Sequence, residues 1–381
     1  MLIYLDNSAT TRPFKAVAET VNNCLTELYF NPASAYPQAV SIERKVEQVR
    51  LLFTQALFAS PAEIIFTSGG TESNNIAIAG ATEAMRNPQQ FITTSVEHPS
   101  VFEVFRRLET KKVNVEYAGV DSYGAVQLDE FKALLNENTS FISMMHVNNE
   151  VGAINDIEQA HRLINKYAPQ ALFHVDGVQA FCKLPFAKLL CDMYSISGHK
   201  FNAPKGVGLL YVRKGTPFAG GFLGGGQERG LRSGTTNVPG ILGMGEALNQ
   251  YSKNQNEWLN GMRACKLRLA ANIKSIKDTL VNGPDPQKGA PHILNISFLG
   301  VRGEVLLHAL AEKGILVSTG SACSARKKNN NRVLHAMGIA GERLDGAVRF
   351  SFCPFNTLKE MDDTAQILSE LVTDLRKFKR K

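Results

Sequence analysis

The sequence has no apolar stretch long enough to cross a bilayer. Nothing in its 381 residues approaches the roughly 18 apolar positions in a row that such a helix needs. The opening, "MLIYLDNSATTR", reaches Asp6 after a few apolar residues, too soon for a signal-peptide core. Both absences predict a cytoplasmic protein with no membrane partner. Cysteines are few: six, of which the closest pair, Cys182 and Cys191, is nine residues apart. Without a CxxC or any zinc-type spacing, no metal site is expected. In a chain of this size the thiols read as reduced rather than as a disulfide frame. Internal repeats and low-complexity segments are absent too. Charge of one sign is only mildly in excess, at a formal +7, part of it in the tail "LRKFKRK" and part in "ARKKNNNR" at 325–332. A solvated helix end accounts for the tail, although mild basicity leaves room for an acidic protein or RNA partner. Aromatics are not interleaved with these clusters as on a base-stacking surface, so direct nucleic-acid binding is not expected.

What is present is an ordinary globular composition, 44% apolar and 20% charged. The length suits two domains, or one large domain with an appendage. Phe14, Val17, Val21, Cys24 and Leu28 recur at steps of three and four, which predicts an amphipathic helix over 13–29. Ile42, Val46, Val49, Phe53 and Leu57 predict a second. Short apolar runs then alternate with helical stretches: "EIIFTSGG", "FITT", "VNVEYA", "SFISMM", "ALFHVD", "DMYSIS" and "GVGLLYV". That alternation predicts an α/β domain with a mostly parallel sheet. From about Val238 the texture becomes helical to roughly Ile276. After Gly283-Pro284 come a strand at "HILNISF", a helix at "GEVLLHALAEKG", a strand at "AVRFSF" and a closing helix from Leu358, together a smaller α+β domain.

Ligands of open α/β sheets bind beyond the carboxyl ends of the strands, so the residues after each apolar run matter most. After "IIFT" stand Ser68, Gly69, Gly70, Thr71 and Glu72, a helix start whose backbone N–H groups can receive a phosphate. A plain capped helix explains that segment equally well when it is taken alone. After "FITT" comes His98, by itself an unremarked turn residue. After "SFISMM" come Asn148 and Asn149. After "ALFHV" come Asp176 and Gln179; the aspartate could simply cap the next helix. After "DMYSI" come Ser197, Gly198, His199 and Lys200. The Gly-rich "GGGQERGLRSGTTN" at 224–237 has no hydrophobic pattern and reads as a contacting loop. A lysine, an aspartate, a histidine, an amide and a phosphate cradle on one rim suit pyridoxal 5'-phosphate (PLP). Its aldehyde bonds a lysine amine, a buried carboxylate keeps its ring nitrogen protonated, and a flat side chain covers one ring face.

With "YLDNSATT", "NPAS", "FTSGGTESNN", "EHPSV", "HVNNEVGAI", "HVDGVQA", "SGHKFNAPKG", "GGGQERGLRSGTTN", "LNISF", "STGSACSA" and "VRFSF" in this order, the chain resembles the cysteine desulfurases. These belong to the class V aminotransferase group of fold-type I PLP enzymes. The resemblance runs nearly end to end. It implies a PLP-dependent transferase-like α/β fold, with a mostly parallel seven-stranded sheet in a large domain over 13–256. It puts 1–12 and 257–381 in the small domain that carries a mobile cysteine loop. It implies that Lys200 forms the Schiff base, that His98 stacks on the ring and carries protons, and that Asp176 pairs with the ring nitrogen. Gln179 and Asn149 would reach the phenolic oxygen; Gly70, Thr71, Ser197 and His199 would hold the phosphate. Thr235 would serve the phosphate of a partner subunit in a homodimer, and Arg349 would clamp the substrate carboxylate. Cys323, among small residues and followed by Arg326, Lys327 and Lys328, would be the nucleophile, since nearby cations favour a thiolate. The other five cysteines read as structural. The implied reaction converts L-cysteine to L-alanine, leaves a persulfide on Cys323, and passes sulfur to an acceptor protein in iron–sulfur assembly or tRNA thiolation. A selenocysteine lyase or another class V PLP aminotransferase-type enzyme is the alternative.

Overall fold

Residues 2–319 and 331–377 are described by the structure, a computed structural model. Among them, strands occur at β1 (Ile3–Tyr4), β2 (Ile64–Thr67), β3 (Gln90–Thr94), β4 (Asn114–Ala118), β5 (Thr139–Met145) and β6 (Leu172–Asp176). They continue with β7 (Met193–Ser197), β8 (Gly208–Val212), β9 (Thr279–Asn282), β10 (Ile293–Phe298), β11 (Ile315–Leu316) and β12 (Ala347–Ser351). Seven of these form the main sheet, in the order β2-β8-β7-β6-β5-β3-β4. Strands β4, β3, β5, β6 and β7 run parallel, and β8 lies antiparallel to both of its neighbours. The interior strands "QFITT" and "MYSIS", and the edge strand "IIFT", are covered on both faces, which is why they are buried at every position and read as unbroken runs. This is the mostly parallel α/β sheet the sequence led us to expect.

The helices form where the three- and four-residue spacing placed them. The first spans Lys15–Thr26, shorter than expected because Pro13 and Phe14 lie in the extended lead-in. The second, Pro37–Leu57, starts on a proline that needs no N–H at that position and ends at Phe58 in the left-handed region. The helical texture after Val238 is one continuous helix, Val238–Ile273, of 36 residues, about 54 Å long at 1.5 Å per residue. Asn237 caps it by accepting from the Gly240 N–H at 3.0 Å. Its first half is buried in the main core, beside Phe53, Phe181 and Phe201. Its second half, from Met262 to Ile273, enters a separate apolar cluster with Ile3, Leu5, Phe298, Leu306, Phe350 and Leu368. Around that cluster stand the antiparallel sheet β12-β10-β9, the parallel pair β1-β11, and the helix Leu358–Lys377. Val333, Leu334, Met337 and Ile339, however, pack into the main core.

Candidate active site

A cavity of about 520 Å3 opens at the carboxyl ends of the parallel strands. Ten of the site residues implied by the resemblance line it: Gly70, Thr71, His98, Asn149, Asp176, Gln179, Ser197, His199, Lys200 and Arg349. Thr235 does not; it is exposed on the Gly-rich loop, outside the cavity of its own chain. Cys323, like Arg326, Lys327 and Lys328, lies outside the described residues.

Lys200 ends a short 3-10 turn, Gly198–Lys200, directly after β7. Its Nζ donates to the carbonyl oxygens of Ser8 at 2.6 Å and Ala9 at 2.9 Å. The N-terminal segment is fastened over that turn. The Thr11 N–H donates to the His199 carbonyl at 2.9 Å, and Thr11 Oγ1 accepts from the Asn202 N–H at 2.7 Å. Asn202 has φ of +63°, unusual for a side-chain-bearing residue, and Asn is among the residues that tolerate it. Its Nδ2 donates to the Arg12 carbonyl at 2.8 Å.

Asp176 closes β6 and is 5% exposed. One carboxylate oxygen accepts from the Val178 N–H at 3.0 Å, the other from Asn74 Nδ2 at 2.7 Å. The second hydrogen of the same amide goes to Ser100 Oγ at 2.9 Å. Ser100 Oγ lies 2.7 Å from His98 Nδ1, which also accepts the Ser100 N–H at 3.1 Å. An accepting Nδ1 carries no proton, so the neutral ring holds its hydrogen on Nε2. Burial is the main force lowering the His98 pKa. Asp176 opposes that shift, and the cations Lys200 and Arg332 reinforce it. His199 is pushed down to about 4, by burial first and then by Lys200, Lys205 and His98. Its Nδ1 faces Thr10 Oγ1 at 3.2 Å. Gln179 donates from Nε2 to the Ser8 carbonyl at 3.0 Å, and its Oε1 lies 3.3 Å from His292 Nε2.

The opposite wall is the start of the helix Gly70–Ala84. Gly69 has φ of +149°, where a side chain is strained. A Cβ on Gly70 would stand 2.7 Å from Val178 Cγ2 and 3.3 Å from Ser197 Cβ. The backbone of a 15-residue helix therefore meets the cavity at close quarters, with its unpaired N–H groups and positive dipole end inward. Arg349, in β12, is 6% exposed. It donates to Asp6 Oδ1 at 2.8 Å and to the Asn149 carbonyl at 2.9 Å, while its Nε is buried without a partner among the described residues. Sequence reasoning passed over Asn74, Ser100, Ser8, Thr10 and Lys205. Asn74 and Ser100 sit in "TESNN" and "EHPS", where only the crossing of two helices makes them meet.

A helix N-terminus for a dianion, a carboxylate held by two donors, an imidazole and a lysine amine share this one cavity. Its volume falls within the few hundred to a thousand Å3 typical of cofactor sites. The donors fit PLP, and such a site on a sheet of this topology defines a PLP-dependent enzyme. A model of the family "Aminotransferase class-V" matches residues 3–363. A cysteine desulfurase of Nostoc sp. is 39% identical over 378 residues, covering 98% of this chain and 94% of the relative. A solved NifS-like protein superposes with a TM-score of 0.93 at 37% identity, over 98% of this chain and 100% of that one. A structure described as SspA in complex with cysteine gives 0.80 at 30% identity, over 93% and 100%. The chain belongs to the class V aminotransferase family and, within it, to the cysteine desulfurases; its cofactor is PLP.

Proposed function

We propose that the chain takes sulfur from L-cysteine, releases L-alanine and carries the sulfur as a persulfide on Cys323. The cavity that gathers Lys200, His98, Asp176 and Arg349 carries this reading. Bound PLP supplies an aldehyde for a lysine amine and a sink for the electron pair left on the substrate Cα. Asp176 would face its ring nitrogen, His98 its ring, and Gln179 and Asn149 its phenolic oxygen. Gly70, Thr71, Ser197 and His199 would hold its phosphate, with Thr235 of a second subunit.

The chain's own residues then act in turn. Arg349 binds the substrate carboxylate; its buried Nε–H has no acceptor among the described residues. Lys200, once its amine is neutral, removes the Cα proton. Cys323, as thiolate, attacks the substrate sulfur. An S–S bond forms, the Cβ–S bond breaks, and the pair remains with carbon; one proton added at Cβ and one returned to Cα give alanine. The five described cysteines are buried, and burial raises the pKa of each thiol, so none is activated for this task.

The same reading gives a homodimer in the cytoplasm, with sulfur passed to an iron–sulfur scaffold or a tRNA-thiolation protein. It divides the chain into a large domain over 13–256 and a small one from 1–12 with 257–381. The cluster joining Ile3 and Leu5 to the C-terminal elements supports that division. The test is Cys323→Ser. The variant should keep the visible absorbance of the cofactor and form no persulfide, and alanine release at the wild-type rate would refute the assignment.

A further inference from the structure

We propose that Arg332 is a positioning residue that moors the chain leaving Cys323 to the turn carrying His98; this rests on the role given to Cys323 above. The segment 320–330 is flanked by two residues tied to the cavity. Upstream, Ser318 pairs with Arg349 in an antiparallel bridge: the Ser318 N–H donates to the Arg349 carbonyl at 3.1 Å, and the Ser318 carbonyl accepts from the Arg349 N–H at 2.6 Å. Downstream, Arg332 opens the short helix Arg332–Ala336. Its guanidinium donates to the carbonyl oxygens of Ser95 and Glu97, the residues leading into His98. It also lies 3.8 Å from the centre of the Phe102 ring, one turn into the helix that His98 caps. Cys323 is five residues from Ser318 and nine from Arg332.

The guanidinium does more than fill space. Its planar fork meets two carbonyls and an aromatic face together, which a lysine ammonium cannot reproduce. Behind it Val333 and Leu334 are buried at 2% and 0% exposure, so the helix it begins is pegged to the main core. The His98 turn has supports of its own. Glu97 accepts from Thr94 Oγ1 at 2.6 Å and from the Met145 N–H at 2.8 Å, and Ser100 and Asn74 hold the imidazole. Removing the arginine should therefore cut the tie between position 332 and the His98 turn, while Val333 and Leu334 keep the helix behind it in place and the pocket stays intact.

Single-turnover mixing of the PLP-loaded enzyme with L-cysteine separates the two. The early visible change reports substrate chemistry in the pocket; mass spectrometry reports the persulfide on Cys323. Arg332→Gln should keep the first at the wild-type rate and slow the second about tenfold or more, the scale of losing charge-assisted hydrogen bonds. Arg332→Lys should fall between. Equal slowing of both phases, or no slowing of either, overturns the proposal. Should Arg332→Gln fail to fold, Phe102→Leu, which removes only the aromatic face, must slow persulfide formation alone by about twofold to tenfold; equal rates there overturn it as well. A wild-type enzyme that shows the visible change but places no sulfur on Cys323 sinks the underlying reading and this proposal with it.

Discussion

Asn74 donates to Asp176 at 2.7 Å across more than one hundred residues of sequence, and it does so from a helix that contributes its own N-terminus to the same cavity. Its other hydrogen reaches Ser100 Oγ, so one buried amide fixes both the carboxylate and the partner of His98. Its Oδ1 is buried and has no partner among the described residues, so its hydrogen bonds there are all donated.

Asn74→Ala should accordingly weaken PLP binding. A hydrogen bond to a charged group is worth about 1.5–3 kcal/mol, or roughly tenfold to a hundredfold in affinity. Equilibrium titration of the apoenzyme with PLP measures it. Wild-type affinity in this variant would mean that the Val178 N–H alone holds Asp176 in place.

Lys200 stands within hydrogen-bonding distance of two backbone carbonyls at the cavity edge. Lys200→Ala should yield a folded protein that lacks the visible absorbance of lysine-bound PLP, with and without added cysteine. An unaltered visible spectrum would remove Lys200 from the assignment.

Gly70→Ala tests the cradle. The new methyl must fit where Val178 Cγ2 stands 2.7 Å away, and Val178 is β-branched and has few rotamers to offer. The helix start should shift, at an overpacking cost of about 1–3 kcal/mol in stability and a clear loss of PLP affinity. Denaturant midpoints and cofactor titration read the two effects. A variant matching wild type in both would show that the backbone there does not approach the ligand.

The main sheet was legible because strands covered on both faces have no solvent face: "FITT" in the parallel interior and "IIFT" at the antiparallel edge both stand out as solid apolar runs. The pieces that escaped notice are short or half-exposed. β9 exposes Leu280 and Val281, β1 and β11 have two residues each, and the helix Leu128–Leu134 has only two turns. In the site, Lys200, Asp176 and His98 announced themselves as polar residues closing apolar strands. Asn74, Ser100 and the Arg349–Asp6 pair did not, because each depends on segments that only the fold brings together. Asp6 and Arg349 are 343 residues apart, and no local pattern links them.

Glu97 is buried next to His98, and its carboxyl is pushed up to about 8. Burial is the main cause, resisted by bonds from Thr94 and the Met145 N–H, strengthened by Asp176 and opposed by Arg332. Below about pH 4.5 the side chain is protonated in folded and unfolded chains alike and contributes no slope. Between there and about pH 8 the unfolded chain gives up a proton that the folded chain keeps. Stability must then fall as pH rises, by up to about 1.4 kcal/mol per pH unit. Glu150, raised by burial to about 7 against the pull of Arg349 and Arg332, adds a loss of the same sign that ends near neutrality. Glu97→Gln keeps an oxygen for Thr94 and Met145 and does not titrate. Its unfolding midpoint should lie near the wild-type value at pH 5 and above it at pH 8, with the residual slope left to Glu150. Denaturant titrations at pH 5, 6.5 and 8 measure the difference, and parallel curves for the two proteins would show that Glu97 ionises in the folded state at its ordinary pKa.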